Sequence, residues 1–158
     1  MKRFFILIAL ILVTVFGAFA QRFPVKVVGI SDGDTFTAIN RDNLQLKIRI
    51  YGIDAPERGQ DYGSMSKKAL SGFIFGNNIE IDVLSQEKWG RFVAKVYTND
   101  EKDVALLMLQ SGMAWHYKKY DNSQVYKDAE ETARKAKRGI WGGKSPVPPW
   151  DYRKNKKK

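Results

Sequence analysis

LQLKIRIYGIDAPE, residues 44–57, begins as a strand and ends as a cluster of acids. Leu44, Leu46, Ile48 and Ile50 alternate with Gln45, Lys47 and Arg49, the period of a sheet with one face buried and one wet. Asp54 and Glu57 then flank Pro56, which pushes Ala55 out of helical geometry and leaves the two acids on extended chain. Arg49 stands five residues before Asp54. It is either a solvated charge on the outer face of the strand or a partner for those acids. An ideal strand sends residues 49 and 54 to opposite faces, so joint use requires a bend, for which Gly52 is well placed.

Upstream, ISDGDTFTAI (30–39) sets Asp32 and Asp34 around Gly33 inside another apolar run. Asp-Gly is a common turn signal, so these acids either turn the chain or hold something. Strand-like runs occupy 24–28, 35–39, 44–53, 78–83 and 91–98. Turn residues Arg41, Asp42 and Asn43 precede the third, and SQEKWG separates the last two. Helices are expected over 64–75, with Met65, Ala69, Leu70 and Phe73 inward, and from an Asp103 cap through VALLMLQS to Gly112. A longer one is expected from a cap at Asn122 or Ser123 to Gly139, with Val125, Ala129, Thr132, Ala133 and Ala136 as its apolar stripe. Strands first and helices later make an α+β domain built on a small barrel or sandwich.

The chain starts with Lys2 and Arg3, an apolar run from Phe4 to Phe19, and Ala18-Phe19-Ala20, the pattern of a secretory signal peptide cut after Ala20. Residues 1–20 are therefore read as leader, 21–145 as one domain, and 146–158 as a Pro-rich, basic tail expected to stay unpacked. The chain carries 27 basic and 17 acidic residues; the leader holds two of the basic ones, which leaves the mature protein at +8. That balance favours polyanionic partners such as nucleic acid. With no cysteine there is neither disulfide nor thiolate chemistry. The single histidine, His116, excludes a zinc finger and a paired-histidine ribonuclease and is read as a strand residue.

Two aspartates, with a backbone carbonyl and water, would make an all-oxygen site suited to a hard divalent cation rather than zinc. A glutamate outside that ligand set can take a proton from water. Two fork-shaped guanidinium groups, Arg49 and the Arg91 of EKWGR (87–91), can grip a phosphate and stabilise the charge that grows on it during attack. Metal, base and paired arginines together suit phosphodiester hydrolysis without a covalent intermediate.

The order DGDT (32–35), RIYGIDAPE (49–57), a helix, KWGR (88–91) and a helix ending in QSGMAW (110–115) resembles the staphylococcal nuclease, or thermonuclease, family from about Val25 to Trp141. The resemblance implies an OB-type five-stranded β-barrel with three α-helices. It also implies a secreted or periplasmic nuclease, monomeric and free of the membrane once cleaved, that cuts DNA and RNA with little sequence preference. By it, Asp34, Asp54 and the Ala55 carbonyl hold one calcium ion per chain. Arg49 and Arg91 bind phosphate in a phosphorane-like transition state, and Glu57 is the general base. Asp32 and Thr35 support the metal site. Trp89, Lys88, Tyr117 and Tyr120 are candidate substrate contacts, the aromatic rings by stacking on a base or ribose. The rival reading is an OB module that binds single strands without cutting them.

Overall fold

The structure is a computed structural model that describes residues 22–156. The leader and its cleavage site lie outside the described residues. Five strands close a barrel in the order β1 (Phe23–Ile30), β2 (Thr35–Ile39), β3 (Gln45–Ile50), β6 (Phe92–Thr98) and β5 (Asn78–Gln86). All pairs are antiparallel except β3 with β6, which run parallel. Alternation along each strand fills the interior with Val25, Val27, Phe36, Ala38, Ile48, Ile50, Ile79, Ile81, Ala94 and Val96, all buried. Leu44 falls in the turn before β3 rather than on its inward row: its amide bonds Asn40 Oδ1 and its side chain is exposed.

Between the barrel strands lie β4 (Ile53–Asp54) and helix α1 (Gly63–Ile74). Three further elements follow β6: α2 (Val104–Gln110), β7 (Trp115–His116) and α3 (Gln124–Lys135). Asp103 caps α2 as expected, accepting from the Leu106 amide at 3.2 Å. Strand β4 pairs with β7, Asp54 opposite Trp115, so the segment after Gly52 leaves the barrel sheet and joins a second, short one.

Two helix faces differ from the periodicity reading by about one residue. Helix α1 buries Gly63, Ser66, Leu70 and Ile74, with Met65 exposed. The cause is a close approach: a Cβ on Gly33 would lie 1.8 Å from Ser66 Oγ, so the aspartate loop packs directly on a small polar side chain, which donates to the Met113 carbonyl at 2.6 Å. Helix α3 buries Tyr126, Ala129, Glu130 and Ala133, while Val125, Thr132 and Ala136 are exposed. Glu130 faces inward because Oε1 accepts the His116 amide at 3.1 Å, a bond that pattern reading scores as polar and therefore outward.

The larger correction concerns the tail. Residues 149–156 form a fourth helix, α4 (Pro149–Lys156), behind a short 3-10 turn at Gly139–Gly142. Proline at the first helical position needs no amide partner and has its φ preset. Trp150 stacks on Tyr117 with ring centroids 5.6 Å apart and planes 8° from parallel. A tail expected to stay unpacked is held by buried Pro149 and by the Trp150 ring.

Candidate active site

The β2–β3 register pairs Thr35 with Arg49, and the Ile50 amide donates to the Asp34 carbonyl at 2.8 Å. The aspartate loop is thereby fixed against the end of β3. Asp32 makes the turn, its Oδ1 accepting the Asp34 amide at 3.1 Å. Asp34 itself is buried: Oδ1 accepts from Thr35 Oγ1 at 2.9 Å and Arg49 Nη1 at 2.8 Å, and Oδ2 accepts the Ala55 amide at 2.9 Å. The loop both turns the chain and aims a carboxylate.

Gly52 provides the bend that strand parity demanded. Its φ is +80°, and a Cβ there would sit 2.7 Å from the Tyr126 ring. Beyond it Asp54 returns to the same side as Arg49, whose Nη2 donates to Asp54 Oδ1 at 2.8 Å. One guanidinium thus ties together two carboxylates twenty residues apart in the chain, both almost fully removed from solvent. Charge-assisted bonds of this kind are the strong class of hydrogen bond, and the fork shape fixes both acids at once. They also raise the Arg49 guanidinium still further above its ordinary range, Asp34 and Asp54 together outweighing the burial that opposes its charge.

Burial pushes the Asp34 carboxyl up to about 7, against the attraction of Arg49, with Asp32 and Asp54 adding repulsion. Among the described residues, no three histidine or acidic side chains converge as a metal site by themselves. A cation between Asp34 and Asp54 would take its other ligands from backbone carbonyls and water. Two buried carboxylates, both hard oxygen donors and both drawn onto one guanidinium, fit such a cation.

Glu57 stands at the rim, half-exposed, on a loop tied by its amide to Gln60 Oε1 at 3.0 Å. Its partner is one that sequence reasoning missed. Arg153, on α4, donates from Nη1 to Glu57 Oε1 at 2.5 Å and to Asp54 Oδ1 at 3.1 Å, and from Nη2 to Asp54 Oδ2 at 2.7 Å. Nothing in a spacing of 96 to 99 residues announces these contacts. The available signals were Pro149 as a helix start and Trp150 as an anchor.

Arg91 is not brought onto these acids. Its Nε and Nη2 donate to Glu87 at 2.9 and 3.0 Å, across the turn between β5 and β6. Glu87 in turn shares with Arg49, Tyr51, Leu84, Tyr117 and Tyr120 a cleft of about 230 Å³, which places Arg91 at its edge. Trp89 and Lys88 are exposed at the tip of the same turn, Trp89 by 93%. Tyr117 and Tyr120 meet edge to face at 5.0 Å, so both aromatic candidates do line the cleft beside Arg49. His116 is a buried strand residue, as read, with Nε2 2.9 Å from Asp121 Oδ1.

Residues 47–143 match the family model described as staphylococcal nuclease homologue. The matched stretch holds Arg49, Asp54, Glu57 and Arg91; Asp34 precedes it and Arg153 follows it. The chain is 36% identical over 132 residues to an uncharacterised endonuclease of Haemophilus influenzae, covering 84% of this chain and 74% of that protein. It is 34% identical over 131 residues to an uncharacterised endonuclease of Escherichia coli O157:H7, covering 83% and 85%. Staphylococcal-like nuclease CAN1 of Arabidopsis thaliana is 35% identical over 113 residues, 72% of this chain but 35% of the plant protein.

Proposed function

The chain belongs to the staphylococcal nuclease family and is an endonuclease of that family, and from this we propose that it is an exported, calcium-dependent enzyme hydrolysing DNA and RNA with little sequence preference. The observation that carries the reading is the convergence of Asp34 and Asp54 on Arg49, with Glu57 at the rim and an aromatic-lined cleft alongside. Asp34, Asp54 and the Ala55 carbonyl would hold one calcium ion per chain, which when bound supplies charge to offset the phosphate. Glu57 takes the proton of the attacking water. Arg49 grips the scissile phosphate and stabilises the phosphorane-like transition state. Arg91 joins it by exchanging Glu87 for phosphate oxygens. Tyr117, Tyr120 and Trp89 offer ring faces to bases or ribose, and Lys88 a charge to the backbone. Groups that recognise phosphate carry no base information, so weak sequence preference follows from the chemistry.

The test is single-turnover cleavage of a short DNA and a short RNA, with chelator and then with added calcium. Activity should vanish and return. Glu57→Gln should cost ~10² to 10⁴ in rate, the usual worth of a positioned base. Arg49→Lys keeps the charge but loses the fork and should cost about 10² or more. A wild type that binds DNA but leaves it uncut would make the chain a binding module. Export rests on the Lys2-Arg3 start, the apolar run and Ala18-Phe19-Ala20. The mature protein should begin at Gln21 on N-terminal sequencing, and one that retains Met1 would refute export.

A further inference from the structure

We propose that α4 is an intramolecular latch: Arg153 competes with the divalent cation for Asp54, and cation binding releases the helix and uncovers the face of Tyr117. The proposal rests on reading Asp34 and Asp54 as cation ligands. Arg153 engages both oxygens of Asp54 and one of Glu57, spanning the proposed ligand and the proposed base. Of the Asp54 oxygens Arg49 bonds only Oδ1, whereas Arg153 also occupies Oδ2, so a divalent cation reaches that oxygen only by displacing Arg153, whose positive charge would otherwise stand a few ångströms from its own. Three residues earlier on the same helix, Trp150 covers Tyr117 by stacking, so the helix blocks the acids and a ring of the cleft together.

The latch is a short element held through a few side chains, which is what lets it release as a unit. An eight-residue helix has little stability of its own. What fixes it to the domain is buried Pro149, Trp150 against Tyr117 and the cluster of Trp115, Ala133, Ile140 and Trp141, Arg153, and the Gln60 side chain donating to the Val147 carbonyl at 2.7 Å just before it. The Arg153 side chain is 37% exposed, so water can replace its bonds as it leaves. Once freed, it remains near the cleft as a mobile cation with phosphate as its natural partner.

Calorimetric titration of the intact protein with calcium chloride tests this, using wild type, Arg153→Gln, Trp150→Ala and Lys154→Gln. Lys154 lies on the same helix, is exposed, and among the described residues pairs only with Asp151, at 3.3 Å, so it controls for the loss of a nearby charge. If the closed form holds about nine molecules in ten, removing the competitor should tighten calcium binding about ten-fold. Arg153→Gln should show that gain, Trp150→Ala a change in the same direction, and Lys154→Gln less than about two-fold. Amide exchange over residues 149–156 of the wild type should quicken when calcium is added. Calcium bound equally by wild type and Arg153→Gln would overturn the latch and leave the metal reading standing. Equal tightening by Arg153→Gln and Lys154→Gln would reduce the effect to general charge and also overturn it. No calcium binding by any of the four proteins would overturn the metal reading, and the latch with it.

Discussion

Burial holds the Asp34 carboxyl at about 7 even though Arg49 lies 2.8 Å away, so desolvation outweighs the ion pair. In the unfolded chain the same group titrates near the usual ~3.9 for aspartate. Between those values the folded protein holds a proton that the unfolded chain has released. Stability from this group is therefore complete below about pH 4 and is lost as pH rises through about 7. Asp34→Asn carries no such titration. Urea denaturation in chelator should show the variant gaining on wild type between pH 5 and 8, by on the order of 2–4 kcal/mol. A constant difference across that range would mean that the carboxyl is ionised throughout. Asp32 and Thr35 act on the same atom set: one fixes the turn and the other occupies Asp34 Oδ1, which restricts how the carboxylate can face a cation.

Among the elements, the junction of β3 and β4 decides whether the site exists. Two residues of turn, Tyr51 and Gly52, carry the chain out of the barrel so that Asp54 can pair with β7 and meet Arg49. Gly52→Ala places a methyl group against the Tyr126 ring in a left-handed conformation. Strain and overpacking together should cost about 2–4 kcal/mol in urea denaturation. A loss below about 1 kcal/mol would show that the turn relaxes freely. This bend was legible in advance, because parity between residues 49 and 54 required it and a glycine stood in the right place. The inward faces of α1 and α3 were less so. Ser66 and Glu130 are buried for bonds made to distant backbone, at Met113 and His116, and periodicity counts such residues as outward.

Across the whole molecule 27 basic residues outnumber 17 acidic ones, while Asp34, Asp54 and Glu57 gather at one centre around Arg49 and Arg153. Binding of an oligonucleotide by the Glu57→Gln protein should fall steeply with salt, since each phosphate contact releases counterions. Affinity that hardly changes between low and physiological salt would contradict a phosphate-dominated contact. The barrel, its five strands, three of the helices, and the acids and Arg49 of the site could be read from residues 24–139, because alternation, turn chemistry and the order of short motifs are local properties of the chain. The packing of α4 could not. Its eight residues have no apolar stripe of their own, and their place follows from a ring that Tyr117 offers and from carboxylates nearly a hundred residues away. The state of Arg91 was likewise open: a cation next to a turn reads the same whether it faces substrate or Glu87, and only folding showed that Glu87 holds it. Short-range pattern specifies which elements form; pairing of charges across the fold is a matter of three-dimensional proximity, to which local pattern is blind.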